Sequence, residues 1–97
     1  MRVRIQSPAH VERTFDIEPD EPVYVIGVVS RLVHLPMWTL RILDREGLVR
    51  PRRRVGRARL YSLQDVRRLC YIRRLIVEEG VNVHGVRVIM KMQRIEW

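Results

Sequence analysis

Six arginines crowd into the ten residues from Arg50 to Arg59, and that crowding restricts the fold more than any other feature of the chain. Guanidinium groups at such density repel one another in a compact hairpin unless an anion neutralises them, and phosphate is the anion that fits. The run Pro51-Arg52-Arg53-Arg54-Val55-Gly56-Arg57-Ala58 is flanked by Leu48-Val49-Arg50 and Arg59-Leu60-Tyr61, which suits two short strands around an extended, glycine-containing loop. The segment reads as a basic wing. Arginine runs also occur in ribosomal and disordered RNA-binding segments. Here the strand flanks and the capped helix that follows favour a folded hairpin.

Apolar periodicity places helices on both sides of the wing. From Tyr24 onward, Ile26, Val29, Leu32 and Val33 recur at three- and four-residue spacing until His34-Leu35-Pro36 interrupts. Pro36 fits at or just before the first position of a second helix, where a missing N–H costs little, and Leu40 and Leu43 then face inward until Gly47 ends it. Beyond the wing, Ser62 and Asp65 form a capping-box-like start, and Val66, Leu69, Ile72 and Ile76 supply the buried stripe of a third helix ending at Gly80. Asn82 caps a last helix with Val83, Val86, Ile89 and Met90 on one face and Gly85 as a local weakness. The order helix, turn, helix, basic hairpin, helix predicts a mainly α chain with a small β-hairpin wing, a winged helix-turn-helix.

With 97 residues there is room for one compact domain but not for two cores, nor for the large water-excluding cleft most enzymes need. The net charge of +8 and pI near 11.2 call for a polyanionic partner, nucleic acid ahead of an anionic membrane surface. Eighteen of the 19 basic residues are arginine, which suits bidentate contact with phosphate and guanine. The charge is uneven: residues 1–22 carry a net −2 and residues 23–97 a net +10. The acidic, proline-punctuated Glu18-Pro19-Asp20-Glu21-Pro22 between them reads as a linker. Residues 1–22 are thus expected to be an N-terminal arm and linker, and residues 23–97 the domain. Val3/Ile5 and Phe15/Ile17 alternate with polar residues, but the pattern is so brief that a mobile arm is favoured over two strands.

Cys70 is the only cysteine, so no intrachain disulfide or cysteine-rich zinc site can form. No apolar h-region opens the chain and no run of about 18 apolar residues occurs, so a cytoplasmic protein is expected. Cys70 is expected in the core of the third helix. His10, His34 and His84 lack the spacing of metal ligands. No phosphate loop, nucleophile elbow or catalytic Ser/His/Asp set stands out. The expectation is a non-enzyme without metal or cofactor.

On the second helix Trp38, Arg41 and Arg45 lie about one turn apart, so with Leu40 and Leu43 inward they face out together. They can reach DNA as a set. The bland reading is a solvated basic face with an incidental tryptophan, and the repetition of charge in the neighbouring hairpin argues against it.

Thr39-Leu40-Arg41, Asp44-Arg45-Glu46-Gly47-Leu48-Val49, Pro51, Arg53, Gly56, Arg59 and Tyr61-Ser62 followed by Asp65 resemble the DNA-binding domain of the MerR family across residues 23–92. Tyr24-Val25-Ile26, Asp44 in place of the commoner Glu, and Glu79-Gly80-Val81-Asn82-Val83 with Gly85-Val86 are most similar to the heat-shock repressor (HspR-like) branch. The resemblance implies that Arg41 enters the major groove or meets its phosphates, Thr39 contacts backbone, Arg53 and Arg59 hold phosphates, and Tyr61 buttresses the wing. Together with the charged run, the DNA-binding set is Trp38, Thr39, Arg41, Arg45, Arg52, Arg53, Arg54, Arg57, Arg59 and Tyr61. The chain departs from the family at Ile42, where a phosphate-touching Tyr is common, at His34 for the turn Gly, at Pro36 for the polar cap, and at Arg57 for a second wing Gly.

Family members usually continue into a long dimerisation coil, whereas this sequence stops at Trp97, so metal- and drug-sensing roles are poor fits. The resemblance implies a transcriptional repressor of chaperone genes, a homodimer on an inverted repeat that is weak or formed on DNA, and an Hsp70-type chaperone as co-repressor. Three alternatives stay open. One is a phage-type architectural or excision factor. Another is a protein-interaction module that docks a polymerase subunit or chaperone through Val88, Met92, Ile95 and Trp97. The third is a structural RNA-binding protein.

Overall fold

Val29 and Val33 on the first helix and Leu40 and Leu43 on the second are almost wholly removed from solvent and belong to one buried cluster. That cluster organises the domain. The structure is a computed structural model describing residues 2–6, 12–56 and 58–93. Its elements are β1 (Arg2–Gln6), β2 (Glu12–Asp16), β3 (Tyr24–Val25), α1 (Ile26–Val33), α2 (Met37–Arg45), β4 (Arg53–Val55), β5 (Ala58–Tyr61), α3 (Leu63–Arg73), a π-helical turn (Arg74–Glu78) and α4 (Val83–Gln93). The chain bends by 107° between α1 and α2, within the range of helix-turn-helix pairs. With the wing behind them the fold is a winged helix-turn-helix, as the periodicities predict.

The turn between the helices is held from α1. His34 takes a left-handed conformation at φ 55° with its N–H on the Ser30 carbonyl, and the Ser30 hydroxyl donates to the Leu35 carbonyl at 2.5 Å. Pro36 caps α2 through its backbone alone, its carbonyl accepting from the Thr39 and Leu40 amides. At the other end Gly47 adopts φ +74°, the Gly47 amide reaches the Asp44 carbonyl and the Leu48 amide reaches the Leu43 carbonyl. This is the glycine-terminated cap that satisfies the last carbonyls of a helix.

That cap revises the expected wing. Leu48 and Val49 turn back into the domain, Val49 at 1% exposure, so the first wing strand begins at Arg53 rather than Leu48. The second strand is β5, as expected within one residue. β5 is central in a three-stranded sheet ordered β3-β5-β4, with Arg54 opposite Arg59 and Val55 opposite Ala58. The third strand departs from the sequence pattern: Tyr24–Val25, expected to open the first helix, pairs with Tyr61 and Leu60. Leu32, placed in the stripe of α1, is 52% exposed, because the buried face of that helix is centred on Val29 and Val33.

Ser62 and Asp65 do form the capping box, with backbone-to-side-chain distances of 3.1 and 2.9 Å. Leu69 and Ile72 are fully buried, flanked by Val66 and Ile76. Cys70 is exposed, not in the core, since it lies about 100° around the helix from Leu69. Asn82 caps α4 by accepting from the Gly85 amide at 2.8 Å. Gly85 is more than a weak point: a Cβ there would stand 2.7 Å from Val81 Cγ1, so the bare backbone lets Val81 cross it.

The N-terminal segment also differs from expectation. Residues 2–6 and 12–16 pair as an antiparallel hairpin, Arg2 opposite Asp16 through Gln6 opposite Glu12, where the brief alternation favoured a mobile arm. The acidic stretch after it is fastened to the domain. The Pro19 carbonyl accepts from the Gln64 amide at 2.9 Å and the Val23 amide reaches the Tyr61 carbonyl at 3.0 Å. Gln64 lies in the first turn of α3, whose amides otherwise lack helical partners, and the neighbouring acidic residues suit its positive end.

Candidate nucleic-acid interface

The division of α2 into two faces builds the site. Thr39, Leu40 and Leu43 are buried, which leaves Trp38 at 64% exposure together with exposed Arg41 and Arg45. These three candidates share the solvent face, as their spacing predicts. Thr39 does not join them on that face: at 8% exposure it lies with Leu40 and Leu43 on the buried side of the helix.

Tyr61, for which the resemblance implies a buttress of the wing, is also buried. Only 2% of it is exposed, and burial, with the Asp44 and Asp65 carboxylates adding to it, pushes the phenol up to about 12. It stays a neutral strut where β5 meets the helices.

Arg59 follows it with a different role. Its Nη1 donates to Asp44 Oδ2 at 2.6 Å, joining the wing to α2. Around this pair Arg41, Asp44, Arg45, Arg50 and Arg59 line an open cleft of about 350 Å³. A second hollow of about 270 Å³ continues under the wing along Val25, Ile26, Pro51, Ala58 and Tyr61. Four arginines and one aspartate therefore line the same cleft, an arrangement with surplus positive charge that suits an anionic group.

Arg50 belongs to the basic run but not to the DNA-binding set that the sequence suggests. The glycine cap is what brings it there: a Cβ on Gly47 would lie 3.3 Å from Arg50 Nη2, so the guanidinium folds back over the turn towards α2. The only signal for it in sequence is its position three residues after the helix-ending glycine.

Of the remaining candidates, Arg52 is exposed. Arg53 and Arg54 lie on β4 opposite Leu60 and Arg59, and Arg57 falls outside the described residues. The last helix is tied to the same region. Arg87 of α4 bonds the Glu46 carboxylate and donates to the Glu46 carbonyl, fixing α4 to the end of α2. Among the described residues no group of three His, Cys, Asp or Glu side chains could hold a metal, and no single helix is long and apolar enough to cross a membrane.

Comparison with known proteins agrees with this fold. Residues 24–93 match the model of the MerR HTH family regulatory protein. The chain is 40% identical over 79 residues to the putative heat shock protein HspR of Streptomyces coelicolor, covering 81% of this chain and 52% of that protein. It is 33% identical over 72 residues to the HTH-type transcriptional regulator GlnR of Bacillus anthracis and of Bacillus cereus, covering 74% of this chain and 55% of each relative. The chain thus spans about half the length of the curated relatives it matches.

Proposed function

The chain belongs to the MerR family of helix-turn-helix regulatory proteins, and from that membership we propose that it is a sequence-specific DNA-binding regulator of transcription. In this reading α2 enters a major groove and the arginine wing follows the adjoining phosphate backbone. The observation that carries it is the convergence of Arg41 and Arg45 from α2 with Arg50 and Arg59 from the wing region on one cleft beside exposed Trp38. A solvated basic surface would have no reason to gather guanidiniums from separate elements against their mutual repulsion.

The finer reading rests on likeness to the heat-shock branch: repression of chaperone genes from an inverted repeat, by two copies of the chain acting in the cytoplasm at the nucleoid, with an Hsp70-type chaperone as co-repressor. The protein-docking alternative has one observation in its favour, the exposure of Val88 and Met92 on α4. The same surface serves self-association.

Selection of duplexes from a randomised pool, followed by titration of selected and random DNA across salt, tests the proposal. Each phosphate engaged contributes about 0.9 to the slope of log affinity against log salt. Arg53→Ala is expected to weaken all duplexes alike, and Arg41→Ala to weaken the selected duplex more, by about 1–3 kcal/mol for a lost base-edge contact. A flat salt response, or a pool with no enriched sequence, overturns the reading.

A further inference from the structure

Trp38 is 64% exposed, and it stands in the first turn of α2. That turn is the part of a recognition helix that reaches base edges. Met37 beside it is 43% exposed, so the leading end of the helix is apolar, while Arg41 and Arg45 behind it are cationic. The indole has nothing to fill inside the domain, because Thr39, Leu40 and Leu43 already occupy the buried side of α2.

The chemistry of the side chain restricts what it can recognise. Indole carries one N–H donor and no acceptor, so it cannot make the paired contacts by which Arg reads guanine or Asn reads adenine. Its large resource is an apolar face. The apolar feature that base pairs present in the major groove is the 5-methyl group of thymine.

Resting on the proposed docking of α2, we propose that Trp38 is a specificity-determining residue that packs on a thymine methyl group. It adds a thymine requirement next to the position met by Arg41. A protein partner for the exposed indole is the competing assignment. The adjoining guanidiniums argue for DNA, since they place the tryptophan within a cationic surface.

The test replaces each thymine of a selected duplex by deoxyuridine, which removes the methyl and leaves the pairing edge intact. Affinities are compared for the wild type, Trp38→Gln and Trp38→Phe. Because Trp38 lies outside the core, all three are expected to melt alike. For the wild type, uracil at one position per half-site should lower affinity about fourfold, the worth of one buried methyl. Trp38→Gln should be indifferent to the change, and Trp38→Phe, which keeps an apolar face, should retain part of it. Uracil without effect at every position overturns the proposal, as does an equal effect in wild type and Trp38→Gln. So does a change in sedimentation of the free chain on Trp38→Gln with the uracil effect intact, which would assign the indole to a protein contact. A pool with no enriched duplex overturns the DNA-binding reading itself and this proposal with it.

Discussion

Arg59, on the last strand of the wing, donates to Asp44, in the last turn of α2, at 2.6 Å. The two residues are 15 apart in sequence, and their bond is a direct polar link between wing and helix. Side-chain exposures of 40% and 20% leave the pair partly solvated, so its net stabilisation is at most about 1 kcal/mol. Its larger effect is on charge: Asp44 neutralises one of four guanidiniums in the cleft.

Asp44→Asn is therefore expected to cost little stability and to change binding. With Arg59 released, affinity for random duplex at low salt should rise. The slope of log affinity against log salt should steepen by about 0.9 if the freed guanidinium meets one further phosphate. Discrimination between selected and random DNA should fall, since the wing is no longer held in register with α2. Paired salt titrations read both quantities. An unchanged slope would mean that Arg59 already reaches phosphate in the wild-type complex.

His34 is the one described non-glycine residue with positive φ, at 55°. A side chain in the left-handed region costs roughly 1–2 kcal/mol, partly offset because glycine loses more backbone entropy on folding. His34→Gly should stabilise the domain by about 0.5–1 kcal/mol and raise the melting temperature by several degrees, given about 4–8 °C per kcal/mol at this size. His34→Ala keeps a Cβ in the same conformation and should give no such gain. Thermal unfolding of the two variants separates relief of strain from loss of the imidazole.

Much of this architecture is legible in the sequence because it follows from local rules. The spacing of Val29, Val33, Leu40 and Leu43 predicts the two helices, Pro36 and Gly47 bound the second, and Ser62 with Asp65 starts the third. What escapes is set by pairing at a distance. Tyr24 and Val25 form a strand only because β5 offers an edge. Leu48 and Val49 have strand-like composition, yet the cap at Gly47 takes them into the core before a strand can begin. Thr39 and Tyr61 match a DNA-binding motif, and no motif states whether a residue touches DNA or supports one that does. Arg50 shows the reverse: a cleft-lining position hidden within a charge run until a left-handed glycine turns it towards α2.

The raised pKa of Tyr61 predicts an alkaline limit to stability. The phenol titrates near 10 when unfolded and at about 12 when folded, so the folded state holds its proton more tightly. Stability is then unaffected below about pH 10 and falls as pH rises from there towards 12, where the unfolded chain ionises first. Tyr61→Phe removes that titration, and its melting temperature should decline less over the same interval. Equal declines for both proteins would place the alkaline sensitivity elsewhere.

Assembly follows from the size of the interface. One domain presents one recognition helix and one wing, too small a footprint to supply about 4–10 kcal/mol of preference over non-specific DNA. Two copies on adjacent half-sites would supply it. Met92 at 79% exposure and Val88 at 43% lie one turn apart on α4, and Arg87 fixes that helix to the end of α2, so contact between copies through α4 would set the spacing of their recognition helices. A patch this narrow is expected to hold two free chains weakly and to pair them firmly only when DNA aligns them. Binding to a duplex with two half-sites should then be steep in protein concentration and much tighter than binding to one. Met92→Glu should remove that difference while leaving single-site affinity within about twofold. Sedimentation of the free chain, together with titration of one half-site against two, decides the matter. A tight dimer without DNA, or equal affinity for one half-site and two, would assign specificity to the single domain.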